Sequence, residues 1–536
     1  MDDPADLQAG SYRRRMRCCA PALAPAAVSW GRGPVRIMTM SKSRKTRSGV
    51  IAVTALLVTV PVGCMVGPDP TPPDLVMPDS WHTELLGGLE PGSYEPEAWW
   101  RTFDDPMLDD LIALAESRNL DLRIASSRIR QARAEYGIAA SDLFPTVDTN
   151  VDANFSDGSR TSGGDIKSPD RYYTGTLDLG WEIDLWGRVR RSMEGAESEV
   201  QVQIENRRDA LVSIRAEVAL SYLEARTYQL QAITLEEDVR SRKETLEIIE
   251  AEAARGTKME LDVLQFRATY ESAAAQLAPL EQKFAAAVNR ISVLIGEAAG
   301  PLRDAFRASM DPVRPIPQAS NAIAVGIPAD AIRHRPDVRA AERTVMVAAA
   351  AVGVAEASLY PAFRIVGTGG FASSNLDDWF TRSSLGGVLG FEFSWPIFTA
   401  GRLQDVVKVR NEQSQQALLA YEATVLQAVA EVETALIAFA STLEERRRLR
   451  DTVNSYDAAM VLARDRFEAG VDDLQTLLEV EREGLAAEQQ LALAEGQVAS
   501  NVVGIYKALG GAWNIEEKAI RASKEDSPKT AQETQG

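Results

Sequence analysis

The carboxylates of Glu182 and Asp184 are the groups in this sequence whose spacing first suggests catalysis. They lie beside Trp181 and Trp186, and glycoside hydrolases use a pair of carboxylates to cleave their substrates. On a strand, residues two apart point to the same face, and a polar face that borders water explains both side chains. The sequence therefore predicts that the protein is not an enzyme.

Metal and redox sites are also not expected. The 536 residues include two histidines, His82 and His334, and three cysteines, with no Cys/His cluster at metal-ligand spacing. The chain carries 58 basic and 77 acidic side chains, a net charge of −19, whereas a nucleic-acid binder needs a basic surface. We therefore predict no cofactor and no nucleic-acid partner.

The N-terminus has the layout of a secretion signal. A basic stretch, residues 41–47, precedes an apolar run, residues 50–62, that is too short to span a membrane. Residues 1–37 have no signal character. We assign residues 1–63 to a start codon placed too early followed by a signal peptide.

Cys64 follows this signal at the position of a lipidated cysteine. The run from Val60 to Cys64 resembles a bacterial lipobox, in which the cysteine receives a covalent lipid and becomes the mature N-terminus. Ordinary signal-peptidase cleavage nearby is the alternative. Because Met65 rather than Asp follows the cysteine, the resemblance implies sorting to the outer membrane. The proline-rich residues 64–98 are predicted to be the lipid anchor and an extended linker.

Two long helices are predicted in the remaining chain. Residues 196–255 and 403–469 contain neither Gly nor Pro, and helices of this length extend roughly 90 to 100 Å. A helix this long cannot bury its apolar stripe within an ordinary domain, so the sequence predicts a coiled-coil-like assembly. In the second helix the stripe recurs at steps of three and four, at Leu418, Tyr421, Val425, Val429, Val432, Leu436, Phe439 and Leu443.

The chain is an internal tandem duplication. Gly187 and Gly401, each followed by Arg, are separated by the same interval as Gly256 and Gly470, which end the two long helices. A recurring interval of this kind indicates two copies of one structural unit. The predicted domains are the first repeat, residues 99–300, with its helical tip near 256, the second repeat, residues 301–515, with its tip near 470, and a disordered polar tail, residues 516–536.

Each repeat also contains a predicted β-hairpin, over residues 146–185 and 363–397. Apolar and polar residues alternate there, which is typical of strands with one apolar and one polar face. Four strands cannot close a barrel alone, whereas three chains would supply twelve strands around a polar lumen. The strands are predicted at 147–155, 173–185, 363–371 and 385–397.

An ordered set of motifs resembles a known family. The motifs are Gly63-Cys64 with Val66–Asp69, Trp99-Trp100 through Ala125, Leu143–Pro145, Trp181–Arg188, Arg335–Glu342 and Ala400–Arg402. They resemble the TolC-type outer-membrane efflux family, in the lipoprotein branch of OprM-like outer-membrane factors. The resemblance covers roughly residues 64–515.

The resemblance implies an α+β membrane protein. Three copies would form a homotrimer with a twelve-stranded outer-membrane barrel, and the long helical hairpins would continue this barrel as a periplasmic tunnel. A periplasmic adaptor and an inner-membrane pump of the RND type would be the partners, and outer-membrane lipid would surround the barrel. The implied function is a passive exit duct for drugs or other small solutes.

Other functions remain open at this stage. The nearest alternative is a duct for type I protein or peptide secretion with an ABC transporter. A structural coiled-coil envelope protein would not need the four two-faced strands. A periplasmic adaptor would need a lipoyl-like β domain, which the sequence does not contain.

The resemblance also assigns roles to the two hairpin tips. The residues that would form the periplasmic mouth and contact the adaptor are Gly256, Thr257, Gly470 and Val471. Family members carry acidic rings at a closed entrance shortly after the tip glycines, and such rings would favour cations. A solvated acidic helix face is the alternative. The candidates for these rings are Asp262, Asp472, Asp473 and Glu479.

Two further groups receive structural interpretations. Aromatic residues near the strand ends are typical of an interfacial belt at a membrane surface, although core aromatics would give the same pattern. Asp337 and Arg339 lie near a predicted helix start, where capping and charge pairing explain them. The candidate belt residues are Trp181, Trp186, Phe393 and Trp395.

Overall fold

The structure is a computed structural model that describes residues 65–69, 80–85, 89–90, 98–156, 170–308, 316–319, 323–325, 328–469, 471 and 474–511. After a 3₁₀ turn at Trp99–Phe103, the helices are α1 (Pro106–Arg118), α2 (Leu120–Ser141), α3 (Arg188–Ala254), α4 (Glu260–Ala275), α5 (Leu277–Leu294), α6 (Pro301–Ala308), α7 (Pro328–His334), α8 (Pro336–Ala357), α9 (Arg402–Glu468) and α10 (Leu474–Ala508). The strands are β1 (Leu89–Glu90), β2 (Thr146–Ser156), β3 (Asp170–Ile183), β4 (Ile323–Ala324), β5 (Ala362–Ser373) and β6 (Leu385–Ser394).

The long helices α3 and α9 confirm the predicted duplication. Each is 67 residues long, and the interval between their first residues equals the interval between Gly187 and Gly401. Helices α2 and α8 occupy corresponding places ahead of the two hairpins. Both long helices follow a glycine in the left-handed region, Gly187 at φ 79° and Gly401 at φ 84°, a conformation that glycine adopts without steric cost.

The return helices of the two repeats differ. In the second repeat α10 runs for 35 residues, whereas in the first repeat the chain is interrupted at Gln276, between α4 and α5. Pro279 follows this break, where the matching position of α10 is Leu493. Proline lacks an N–H and its ring clashes with the carbonyl four residues earlier, which accounts for an interruption that the duplicated pattern alone does not predict.

Strands β2, β3, β5 and β6 form one antiparallel sheet in that order. The register aligns Val147 with Leu179, Leu179 with Gly367, and Gly367 with Leu389. Because β2 and β6 have no further strand partner among the described residues, the sheet is open at both edges. Its apolar face is exposed, with Val147, Val151, Phe155, Leu177, Leu389, Phe391 and Phe393 each more than half accessible.

The core lies where shorter helices pack around the middle of α3. Its largest fully buried side chains include Leu108, Ile112, Leu211, Tyr222, Leu223, Ile291, Phe306 and Ile332. The linker is laid over this core. The Glu433 carboxylate on α9 accepts hydrogen bonds from the backbone N–H groups of His82 (2.7 Å) and Thr83 (3.0 Å), and β1 pairs with β4 in parallel.

Helix α9 has an apolar face that the chain itself does not cover. Val425, Val432 and Leu436 are buried, but Leu419 and Leu426 on another face are 54% and 71% exposed. Among the described residues this is the one helix long and apolar enough to cross a membrane by length and composition, and 28% of its apolar window is buried.

Candidate functional site

The polar face of the sheet is centred on Asp178. Its carboxylate accepts hydrogen bonds from Asn150 Nδ2 (2.7 Å), Thr368 Oγ1 (2.7 Å) and Thr176 Oγ1 (3.0 Å). These side chains come from β2, β5 and β3, so the polar groups join three neighbouring strands. The face opposite the apolar one is therefore a hydrophilic wall that could border water.

Glu182 and Asp184 are used to join β3 to α3. Glu182 accepts a hydrogen bond from Arg188 Nε at 2.8 Å, and Arg364 Nη2 lies 3.3 Å away. Asp184 accepts hydrogen bonds from two backbone N–H groups in the first turn of α3 and from Arg190 Nε at 3.1 Å. A carboxylate at a helix N-terminus satisfies free N–H groups and complements the helix dipole. This geometry is that of a structural joint.

Indole groups connect the strands to the shorter helices. Trp181 Nε1 donates to the Leu143 carbonyl at 2.9 Å, and Trp395 Nε1 donates to the Leu359 carbonyl at 3.2 Å. These are matching contacts in the two repeats. The interfacial aromatic belt stays a prediction, and these hydrogen bonds give two of its members a structural role as well.

The chain that follows the candidate lipidation site is held at the start of α3. Cys64 itself lies outside the described residues. Arg191, which is 1% exposed, donates to the carbonyls of Val66 (3.1 Å) and Gly67 (3.3 Å) and pairs with Asp69 at 2.9 Å. The same buried guanidinium also pairs with Glu194 of α3 at 2.7 Å, so charge-assisted hydrogen bonds hold residues 66–69 beside the junction between strands and helices.

The tip of the first helical hairpin is capped at Gly256. Its φ is 80°, and Thr257 donates to the Glu252 carbonyl from both its backbone N–H (3.1 Å) and Oγ1 (2.7 Å). Left-handed glycine at the end of a helix is an ordinary cap. Beyond it, Met259 and Leu261 are 66% and 57% exposed, so the tip presents apolar surface that was not singled out from the sequence.

The candidate ring residues occupy different settings. The Asp262 carboxylate accepts the backbone N–H of Met259 at 3.2 Å and so caps the start of α4. Glu479 is exposed on α10, and no described contact joins it to Asp262. Asp472 and Asp473 lie outside the described residues.

At the second tip, Gly470 also lies outside the described residues. Val471 is 63% exposed, and its backbone N–H donates to the Arg466 carbonyl at 2.9 Å. The two tips meet through Lys258, whose Nζ lies 4.9 Å from the centre of the Phe467 ring, a cation–π contact. Lys258 and Phe467 belong to different repeats, so spacing in the sequence gave no signal for this pair.

An ion-pair network around the buried Arg335 guanidinium connects α8, α9 and α10 near the core. Arg335, just before α8, pairs with Asp337 and with Glu431 of α9, both at 2.7 Å, and donates to the Ala508 carbonyl at 2.6 Å. A cavity of about 250 Å³ is lined by these side chains and by Asp209. Burial, together with the charge of Asp337, raises the pKa of Asp209.

The charge pairing predicted for Asp337 and Arg339 is confirmed, whereas the predicted capping is not, because α8 begins after Arg335 without a side-chain cap. Asp337 pairs with Arg335, as above, and Arg339 pairs with Glu205 of α3 at 3.0 Å. Glu205 is only 2% exposed, so the pair joins α3 and α8 in the interior. The sequence placed Arg335 in a family motif but did not predict its contacts, because its partners on α9 and at the end of α10 lie far from it along the chain.

Helix α10 crosses α3 closely at Gly496. A Cβ at this position would lie 2.1 Å from Thr227 Oγ1, so only glycine fits the crossing. Two turns towards the tip, burial raises the pKa of Glu488, and Asp457 of α9 and Asp238 of α3 raise it further. Glu237 also faces this carboxylate.

Known proteins share this arrangement. A sequence model of the outer membrane efflux protein family matches residues 111–297 and 327–511, one match in each repeat. The toluene efflux pump outer membrane protein TtgF of Pseudomonas putida is 32% identical over 478 residues, which cover 86% of this chain and 96% of TtgF. The solvent efflux pump outer membrane protein SrpC of Pseudomonas putida is 31% identical over 466 residues, covering 85% and 97%.

The fold agrees with the sequence match. The solved outer-membrane channel OprN superimposes with a TM-score of 0.76 at 30% identity, covering 84% of this chain and 100% of the OprN chain. The open sheet, the long helices and the duplicated order of elements all lie within the matched residues. The chain belongs to the outer membrane efflux protein family.

Proposed function

We propose that the chain is the outer-membrane exit duct of a tripartite efflux pump. It passively passes drugs or other small solutes that an inner-membrane transporter and a periplasmic adaptor deliver. The observation that carries this proposal is a two-faced sheet with open edges that continues directly into helices of roughly 100 Å. The relatives TtgF and SrpC are named for pumps of toluene and solvents, which favours apolar small solutes.

A homotrimer would cover the surfaces that one chain leaves open. Glu205, Val212 and Leu223 of α3 are buried, at 2%, 4% and 0% exposure. The equivalent residues of α9, in the alignment that matches Gly187 with Gly401, are more than half exposed: Leu419 at 54%, Leu426 at 71% and Ile437 at 54%. Because the repeats are equivalent, the face of α9 would bind a neighbour as α3 binds α8.

The matching face on the neighbour is on α2. Ile124 and Ile138 of α2 are 50% and 67% exposed. Ala340 of α8, the residue equivalent to Ile124 in the second repeat, is 7% exposed. We therefore infer that α9 of one copy packs on α2 of the next copy. Three copies would also join the open edges β2 and β6 and form a twelve-stranded barrel.

The N-terminal lipid would lie beside this barrel. The Arg191 contacts hold residues 66–69 at the start of α3, directly after the end of β3. A diacyl chain on Cys64 would therefore reach the membrane surface without a long tether. Replacing Cys64 with Ser should abolish the incorporation of radiolabelled palmitate, and unchanged labelling would contradict this assignment.

The helical tips would be the contact with the adaptor and an RND pump. Gly256, Thr257 and Val471 lie at or beside the tips, and the exposed Met259 adds apolar area there. Gly470, which is outside the described residues, keeps the same predicted role. Apolar side chains in an otherwise polar setting are typical of protein interfaces.

The acidic entrance ring remains part of this proposal. Asp262 and Glu479, tripled by symmetry, would favour cations at the tunnel mouth, and Asp472 and Asp473, which precede Glu479 in the sequence, remain candidates for the same ring. Reconstituted trimers in which Asp262 and Glu479 are both replaced by Ala should pass cations less selectively over anions. An unchanged permeability ratio would leave them as a solvated helix face.

The proposed function is tested in the cell of origin. Loss of the gene should raise intracellular accumulation of an apolar dye several-fold, and the wild-type gene should restore export. In-cell cross-linking of the tagged chain should capture an adaptor and a proton-driven pump. Capture of an ABC transporter would favour secretion instead, and unchanged accumulation with no envelope partner would overturn the proposal. A Met259→Asp, Leu261→Asp variant should lose the adaptor while it keeps its trimer.

A further inference from the structure

The loop between β5 and β6, residues 374–384, is fixed by hydrogen bonds within itself and to the end of β5. Trp379 Nε1 donates to the Phe371 carbonyl at 3.2 Å, and Ser384 Oγ donates to the Trp379 carbonyl at 2.5 Å. Asn375 N donates to Ser373 Oγ at 3.1 Å. The loop is therefore held to the end of its own hairpin.

This loop packs on the apolar face of the sheet. A Cβ on Gly175 would lie 2.9 Å from the Trp379 ring, so the absence of a side chain at Gly175 makes room for the indole. Gly175 belongs to the same face of β3 as Tyr173 and Leu177, and the Trp379 and Tyr173 rings are 6.4 Å apart. The polar face, which carries Asp178, lies on the other side.

The indole is the centre of an aromatic cluster. The Phe380 ring lies 4.7 Å from Trp379 and 5.5 Å from Phe371, and Phe155 lies 6.0 Å from Tyr173. Phe380 is nevertheless 74% exposed. Phe155 and Leu177 on the same face are 68% and 58% exposed, and a contiguous apolar patch of this kind marks a surface that binds a partner or a membrane.

The position of the cluster along the strands matches a membrane boundary. Tyr173 lies eight residues from Trp181 on β3, and a second aromatic pair, Phe363 with Phe393, lies at the same end as Trp181. Eight residues of a strand tilted by roughly 40° span about 20 Å along the membrane normal. The apolar band of an outer-membrane barrel is about 25 Å tall, with aromatic girdles at both edges.

We propose that the loop 374–384 is a membrane-binding element that inserts Trp379 and Phe380 at the headgroup boundary of outer-leaflet lipid. Because the indole binds over Gly175 on the apolar face, this loop is held outside the barrel and away from the exit of the lumen. Asp377, Asp378 and Arg382 of the same loop are exposed and would face the headgroups. This inference rests on the proposed barrel.

Photo-cross-linking in intact cells tests it. A photoreactive benzoylphenylalanine replaces Phe380, with Leu177 in the middle of the apolar face as the barrel control and Val388, which is 69% exposed on the polar face, as the lumen control. Lipid adducts are identified by mass spectrometry. We expect adducts at Phe380 and Leu177 and none at Val388.

The other outcomes separate the two proposals. An adduct at Leu177 without one at Phe380 would overturn the membrane-binding loop and leave the barrel standing. No lipid at either position would contradict the barrel itself, and equal adducts at Phe380 and Val388 would overturn the outward orientation of the loop. A Gly175→Leu change should lower the Phe380 adduct several-fold, whereas Gly180→Leu on the polar face should not.

Discussion

Asn119 in the first repeat and Arg335 in the second make the same contact. Asn119 Nδ2 donates to the Leu294 carbonyl at 2.9 Å, and Arg335 Nη1 donates to the Ala508 carbonyl at 2.6 Å. Each ties the start of a short helix to the end of its return helix. Arg335 adds ion pairs with two carboxylates, whereas Asn119 adds a helix cap. The duplicated framework has kept its geometry while its electrostatics diverged.

The hairpins show the same divergence near their tips. Arg267 of α4 pairs with Glu250 of α3 at 2.7 Å. At the matching positions of the second repeat the charges are reversed, since Glu481 faces Arg464. The two hairpins therefore place opposite charges at the same positions, and in the second hairpin the charge of Arg242 of α3 acts on Glu481 more strongly than that of Arg464.

The largest difference is in what covers the long helix. The chain buries α3 on several sides, but it leaves the matching positions of α9 exposed. In the first repeat, helices of the same chain cover α3. We therefore expect another copy of the chain to cover the matching face of α9.

The largest expected loss of stability comes from removing Arg335, whose charge distinguishes the second repeat from the first. Arg335→Ala removes the buried guanidinium from the partly exposed carboxylates of Asp337 and Glu431 and leaves the Ala508 carbonyl without this donor, which should cost about 3 kcal/mol. Asn119→Ala loses a helix cap and the hydrogen bond to the Leu294 carbonyl, and it should cost about 2 kcal/mol. Thermal unfolding in detergent ranks the two variants. Equal losses would mean that the two ion pairs contribute no more than the helix cap, because both variants lose the shared hydrogen bond.

Gly496 offers the next comparison. A leucine there collides with Thr227 at the crossing of α10 and α3, and overpacking of this kind should cost about 3 kcal/mol. The matching residue of the first repeat, Gln282, is exposed, so Gln282→Leu should leave the melting temperature within a degree or two. An unchanged melting temperature of the Gly496→Leu variant would show that α10 and α3 do not pack tightly at this crossing.

Glu488 should make the stability of the second hairpin depend on pH. The corresponding residue of the first hairpin is Ala274, which does not titrate. The pKa of Glu488 is raised in the folded chain. Below the ordinary pKa of a glutamate, Glu488 is protonated and does not destabilise the folded chain. The folded chain loses stability as pH rises through the raised pKa of Glu488. Glu488→Gln should match wild type at pH 4 and melt about 1 to 3 °C higher at pH 8. A difference in melting temperature between Glu488→Gln and wild type that is the same at every pH would refute this prediction. Glu483→Gln, at an exposed position of the same helix, is the control.

Pro279 should have the smallest effect. Pro279→Leu copies Leu493 of the unbroken α10 and should lengthen the helix across Gln276, with a gain below about 1 kcal/mol. Hydrogen exchange of residues 274–280 should slow. Exchange that stays fast would mean that packing of Ala273 and Leu280, rather than proline, fixes the break.

Much of the fold could be predicted because its signals are local and repeated. Helix α9 was predicted at 403–469 and lies at Arg402–Glu468, since absence of Gly and Pro and a three-to-four spacing are readable in one segment. The strands followed from alternation. Pairs such as Lys258 with Phe467, or Trp379 over Gly175, join segments from different repeats, and their residue types carry no pattern that identifies the partner.

The most direct test of the account is a cysteine pair across the proposed seam. A Cβ on Gly195 of α3 would lie 3.4 Å from Ala350 Cβ on α8, and the matching positions are Val409 of α9 and Ala134 of α2. Disulfides need Cβ atoms about 3.5 to 4.5 Å apart. A Val409→Cys, Ala134→Cys variant should therefore give covalent trimers on oxidation, while each single variant stays uncross-linked. A purified chain that shows no intermolecular bond would contradict the trimeric duct built by packing α9 on α2.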